Sequence, residues 1–369
     1  MSKRLVLCCD GTWNSPDQQA PTNVTKIALA VAPFDSTGRE QRTFYHRGVG
    51  TDKWERFRGG AFGVGLSRNV RDAYRFLVQN YDPGDELYLF GFSRGAYTAR
   101  STAGFVRNCG ILRREQADRV DEAYELYRDK SSKTHPRGTE ATLFRRSYSH
   151  ETRIRFIGVW DTVGALGIPV DGALAKLINQ RWEFHDTKLS GTVDAAYQAL
   201  AIDEKRGPFR PTLWEPQPVA SPGQTVEQVW FAGVHSDVGG GYPDHEISDI
   251  PLLWMVDRAR RAGLSFYEQA FSQAEAALPT SADDACALTA VSADALGRIH
   301  DTRTGLYKRI RAFNRTLGTT DEAHEYVAST AVERLEGRSD YSPDNLAAYL
   351  SGRPHVMPAD AGTRHRVHA

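Results

Sequence analysis

Three short stretches of the chain carry side chains suited to proton transfer and nucleophilic attack. The first is Gly91-Phe92-Ser93-Arg94-Gly95, which closes the apolar run ELYLFGF (86–92). A serine on a sharp turn between a buried strand and a helix needs small residues two positions to either side. The two backbones approach closely there, and the serine itself is strained. Gly91 and Gly95 meet that need, and Ala96 and Ala99 let the following helix pack tightly on the sheet. Ser93 therefore reads as a nucleophile. The pentapeptide is weak by itself, because Gly-x-Ser-x-Gly is common by chance. A base, an acid and an anion site must come from elsewhere in the chain.

Of the eleven histidines, His235 stands apart. It follows the apolar run VEQVWFAGV (226–234) and enters the loop SDVGGGYP. An open α/β sheet presents its functional groups at the carboxyl ends of its strands. Asp161 has the same setting, directly after RIRFIGVW (153–160) and before TVGALG. The chain order Ser93, Asp161, His235 is that of an α/β-hydrolase triad. His235 is expected to take the serine proton, and Asp161 to hold the imidazole in the right tautomer. Asp237 competes for the acid's place. Orienting a neighbour two residues away takes a tight loop, so Asp161 is preferred, and Asp237 is expected to hold the glycine loop by local hydrogen bonds. An oxyanion site needs two donors. The backbone N–H of Arg94 is one. The other is assigned to Thr12 in DGTWN (10–14), where Gly11 permits close approach, with Gly11 or Trp13 as alternatives. Asp10 beside an oxyanion would oppose it, so its expected part is to cap the following turn.

These residues need a sheet to position them. RLVLCC (4–9), ELYLFGF, RIRFIGVW and VEQVWFAGV read as buried strands. LSRNVRDAYRFLVQNY (66–81) and EQADRVDEAYELYRD (115–129) read as helices between them. The alternation predicts a mostly parallel sheet flanked by helices on both faces, of α/β-hydrolase type with helical insertions. RTFYHRGVG (42–50) is more polar and is expected nearer an edge. SDIPLLWMVDRARRAG (248–263) reads as a helix with Ser248 or Asp249 as N-cap and Pro251 in its first turn. The glycine-rich GGAFGVG (59–65) lacks the Lys-Ser/Thr ending of a phosphate loop and reads as a loop entering a helix. With 369 residues and no evident linker, a single domain is expected. Its core covers 4–263, with helical insertions at 110–150 and 163–182, a C-terminal helical extension at 264–350 and a loose tail at 351–369.

Lys+Arg and Asp+Glu both number 46, so no basic excess points to nucleic acid. No apolar stretch is long enough to span a bilayer. The N-terminal apolar run is too short for a signal peptide and ends in Asp-Gly-Thr, which leads to an expected cytoplasmic location, with export by a signal-independent route open. The four cysteines show no metal or disulfide spacing, and neither a metal nor a cofactor is expected.

Taken together, DGTWN, GVGTD (48–52), GFSRGAYTAR (91–100), GVWDTVGALG (158–167), FHDTKLS (184–190), ALAIDEKRGPFRPTLW (199–214) and VWFAGVHSDVGGGYP (229–243) resemble an uncharacterised α/β-hydrolase domain family. That family includes phospholipase effectors delivered by type VI secretion. The resemblance covers roughly 4–260. It implies a serine esterase or lipase, phospholipases included, with Ser93, Asp161 and His235 as its triad. His185–Asp186 and Asp203–Arg206 resemble family signatures, with a structural role expected. The substrate is then a lipid or small-molecule ester, and peripheral membrane contact is open. In ALGIPVDGALAKLINQRW (165–182), Leu174, Leu177 and Ile178 share one helix face that could line an acyl pocket or meet a bilayer, although an ordinary core helix is the preferred reading. Two other readings compete: a hydrolase fold used only for binding, and an amidase or peptidase with the same triad.

Overall fold

The computed structural model describes residues 2–11, 20–48, 61–129, 131–164, 189–215, 221–272, 288–309, 311–320, 324–352 and 354–359. The strands are β1 (Arg4–Cys9), β2 (Gln41–His46), β3 (Glu86–Phe92), β4 (Ile111–Leu112), β5 (Ser149–His150), β6 (Phe156–Trp160), β7 (Ala195–Ala201), β8 (Thr225–Phe231), β9 (Glu325–Ala328) and β10 (Val356–Met357). The helices are α1 (Asn23–Ala30), α2 (Ala61–Asn80), α3 (Arg94–Cys109), α4 (Val120–Arg128), α5 (Thr139–Tyr148), α6 (His235–Gly239), α7 (Glu246–Arg261), α8 (Ser329–Gly337) and α9 (Asp344–Leu350).

Eight strands form one sheet in the order β10-β9-β8-β7-β6-β3-β1-β2. Every ladder in it is parallel, so all the strand carboxyl ends lie on one edge. Between β1 and β3 the winding reverses, since β2 lies to one side of β1 and β3 to the other. In open α/β sheets such a reversal opens a crevice at the carboxyl ends. This is the expected α/β-hydrolase-like fold, and β2 is one of its two edge strands.

The two faces follow from the two-residue period of the strands. Val6, Cys8, Tyr88, Phe90 and Phe156 point to one face and are covered by Val24 and Ile27 of α1 and Leu252, Met255 and Ala259 of α7. Leu5, Leu7, Leu87, Leu89, Ile157 and Val159 point to the other, under Tyr74 and Leu77 of α2 and Ala96, Ala99 and Phe105 of α3. Each fully buried side chain of this size contributes about 1.5–3 kcal/mol. Burial on both faces explains why these strands read as continuous apolar runs.

Four expectations need correction. The C-terminal third is not only helical: β9 pairs with β8, and β10 with β9, so the sheet extends past residue 263 and into the tail at 351–369. β7 lies between β6 and β8, where sequence reasoning placed no strand. α2 begins at Ala61, so part of the glycine-rich stretch is helix rather than loop. α7 begins at Glu246 with His245 as its cap, which puts Pro251 inside the helix. Asp249 lies inside the helix, and its buried carboxylate pairs with Lys26 Nζ of α1 at 2.7 Å. Within 110–150, β4 and β5 form a small antiparallel pair between the helical pieces. Among the described residues Cys8, Cys9 and Cys109 are buried free thiols.

Candidate active site

Parallel strands bring the three stretches together. Ser93 follows β3 directly, and Asp161 follows β6, the strand paired with β3 at Phe92↔Trp160. His235 opens α6, four residues past the end of β8. Ser93 has φ 58° and Asp161 φ 40°, so two of the three non-glycine residues with positive φ among the described residues lie here. A side chain held in that region signals strain maintained by its surroundings.

The surroundings of the Ser93 turn are backbone atoms. A Cβ on Gly95 would lie 2.0 Å from the Cys9 carbonyl oxygen and 2.6 Å from that of Asp10, and one on Gly91 would lie 2.5 Å from the Gly95 oxygen. β1 and the start of α3 thus meet at the one residue that carries no side chain. Gly95→Ala is expected to destabilise the protein by about 3 kcal/mol or more, since main-chain atoms cannot step aside. Urea unfolding checks this, and a midpoint equal to wild type would contradict the close approach.

Ser93 Oγ lies 2.8 Å from His235 Nε2, and His235 Nδ1 lies 2.5 Å from Asp161 Oδ2. All three residues are buried. The His235 ring is held between Phe92, at 4.6 Å between centroids, and Phe209, edge-on at 4.9 Å. Gly239 makes room for Phe92: a Cβ there would come 2.0 Å from the phenyl ring. Burial lowers the His235 pKa below its usual 6.5, outweighing the nearby Asp161 carboxylate. The imidazole is therefore neutral at pH 7, the form that accepts a proton.

Asp161 is held more firmly than a two-residue contact would require. Arg315 donates Nη1 to Oδ1 at 2.6 Å and Nη2 to Oδ2 at 2.9 Å, and the Ala201 N–H donates to Oδ1 at 3.2 Å. Burial alone would raise the Asp161 pKa, but Arg315 and His235 reverse this and hold it well below the usual carboxylate range. Sequence reasoning missed Arg315, whose surroundings in the chain carry no motif.

Asp237 does not reach the imidazole of His235. Its Oδ1 pairs with His300 Nδ1 at 2.6 Å, and its Oδ2 accepts the Val234 and His300 N–H groups. Asp10 is bound through Oδ2 by Thr22, Thr25 and Tyr45 hydroxyls at 2.7, 2.9 and 2.8 Å. Its Oδ1 accepts the Gly11 N–H at 2.7 Å. Burial raises its pKa. In this structure that bond engages the Gly11 N–H. Gly11 itself stands beside Ser93, where an added Cβ would be 3.4 Å from the serine Cβ. Arg94 is the first residue of α3, directly after Ser93. Thr12, Trp13, His185, Asp186 and the stretch 165–182 lie outside the described residues. Asp203 and Glu204 support the histidine's backbone: Asp203 accepts the Gly233 N–H at 2.7 Å and Glu204 the His235 N–H at 3.3 Å. Glu204 in turn is held by Arg206.

Residues 3–258 match the model of the type VI secretion family described as "Phospholipase effector Tle1-like, catalytic domain". The chain belongs to this family. It is 29% identical over 238 residues to the "Uncharacterized protein YEL023C" of Saccharomyces cerevisiae, a match covering 58% of this chain and 33% of that one. A crystal structure of an uncharacterized protein from Pseudomonas aeruginosa is 18% identical, with a TM-score of 0.44 over 79% of this chain and 49% of the other. The Tle1 effector bound to the VgrG spike of the type 6 secretion system is 19% identical, with a TM-score of 0.35 over 66% and 51%. The chain thus spans about a third of the curated relative and about half of each solved chain. No helix among the described residues is long and apolar enough to cross a membrane.

Proposed function

We propose that this chain is a phospholipase-type serine hydrolase that cleaves carboxylic esters through Ser93, His235 and Asp161. The observation that carries the reading is the continuous hydrogen-bond path from Ser93 Oγ through both nitrogens of the His235 ring to Asp161. Membership of a family described as phospholipase effectors favours a lipid substrate.

Ser93 Oγ attacks the acyl carbon, and its proton passes to His235 Nε2. The carbonyl electrons move onto oxygen, which accepts hydrogen bonds from the backbone N–H of Arg94 and, in this reading, of Thr12. The bond to the leaving alcohol then breaks, and the imidazolium returns the proton to that oxygen. Water repeats the sequence on acyl-Ser93, releasing the fatty acid. Asp161 keeps the Nδ1 proton in place throughout.

Incubation with phosphatidylethanolamine or phosphatidylglycerol vesicles is expected to release fatty acid and lysophospholipid. p-Nitrophenyl esters from acetyl to palmitoyl report the chain-length preference. Release of a phosphorylated head group without fatty acid would overturn acyl-ester chemistry. A wild-type protein that neither turns over esters nor takes a fluorophosphonate label would point to binding without catalysis. Because His235 sits below its ordinary pKa, the acid limb of kcat/KM is expected below pH 6.5, since activity requires the neutral imidazole. A limb above pH 7 in the pH–rate profile would contradict that environment.

A further inference from the structure

The family model ends at residue 258, yet side chains far beyond it close around the three residues. His300 pairs with Asp237 on α6. Thr302 Oγ1 donates to Glu204, which holds the His235 N–H. The Phe313 N–H donates to the Lys205 carbonyl at 2.9 Å. Arg315 reaches Asp161, and its two terminal nitrogens also donate to the Ala201 and Phe209 carbonyls at 2.8 and 2.6 Å. Phe209 carries one of the two rings against His235. One strap, from His300 to Arg315, therefore touches the acid, the base's helix and the base's ring contact.

Arg315 is 2% exposed, and the carboxylate it grips is fully buried. Its planar fork matches both oxygens of Asp161 and fixes the carboxylate plane. Its charge acts in the opposite direction to Asp161 on the imidazole. The charged groups acting on His235 are the Asp161 and Glu204 carboxylates and the Arg206 guanidinium, with Arg315 bound to both oxygens of Asp161 and Asp237 on the histidine's own helix hydrogen-bonded to His300.

We propose that Arg315, supplied by the C-terminal strap, is a positioning residue of the catalytic centre that orients Asp161 and tempers its charge. This rests on the serine-hydrolase reading above. Arg315 acts through Asp161 and touches no substrate. The strap outside the family's matched span is then part of the catalytic unit, and a protein ending near residue 258 lacks the guanidinium that grips the acid.

The test is the pH dependence of kcat/KM in wild type, R315Q and R315K, each checked for folding by circular dichroism. Fluorophosphonate labelling of wild type, lost in S93A, first establishes the serine reading independently. In R315Q the acid limb is expected to move up by about one to two pH units, because a nearby cation no longer offsets the carboxylate. R315K keeps the charge and loses the fork, so its limb should stay within about 0.3 units while kcat falls about tenfold at unchanged KM. A purely structural arginine would lower the melting temperature of both variants and leave the limb and kcat of the folded protein as in wild type. That result, with Ser93 labelling intact, overturns the proposal and leaves the hydrolase reading standing. If R315Q does not fold, R315K decides: wild-type kcat overturns the proposal, and a tenfold loss with an unmoved limb supports it.

Discussion

Replacing Ser93 with alanine is expected to lower ester turnover by about 10⁴–10⁶-fold with little change in stability. The rate loss follows from the unit behaviour of a nucleophile with its base: without Oγ, His235 has no proton to take. Stability should hold because the substitution removes one oxygen from a site whose backbone is fixed by its neighbours. The Ser93 N–H still donates to the Trp160 carbonyl at 3.0 Å, and the glycine contacts with β1 are untouched. Steady-state turnover, fluorophosphonate labelling and urea unfolding form the measurement. Labelling that survives in the alanine variant would remove Ser93 from the mechanism.

Asp161→Ala should fail in two ways at once. The imidazole loses the acceptor that fixes its tautomer, with an expected fall in kcat of about 10³–10⁴-fold. The Arg315 guanidinium, buried and forked onto that carboxylate, is left as an uncompensated charge. Removing one partner of a buried pair typically costs about 3–5 kcal/mol. Asp161→Asn separates the two effects only in part, because its amide N–H₂ faces a cation that needs an acceptor. The double variant Asp161→Ala/Arg315→Met should recover much of the lost stability and none of the activity. Urea midpoints for the set provide the check. If the single and double variants unfold alike, the ion pair contributes nothing to the fold.

Much of the candidate site could be read from local strings. Each of Ser93, Asp161 and His235 follows an apolar run that only a strand buried on both faces would carry. Parallel strands place such ends on one edge, so three separated strings implied one locus. Gly91 and Gly95 were legible because a close backbone approach excludes every other residue type. The competition between Asp161 and Asp237 was less so: both are carboxylates in glycine-containing loops, and only the contact of Asp237 with His300, 63 residues away, showed where it points.

What the sequence by itself determined was the local part: apolar runs, turn glycines and the order of polar residues at strand ends. These depend on conformations of a few consecutive residues, which composition and period constrain directly. The tertiary structure decided the rest. β7 is alanine-rich, and AAYQALA suits a helix as well as a strand until β6 and β8 flank it. β9 and β10 are too short to show a period, and their pairing with β8 makes them strands. Arg315 was one arginine among many until a separation of 154 residues closed onto Asp161. A long-range pair of charges leaves no periodic trace in either segment, because its energy arises only when folding removes both groups from water.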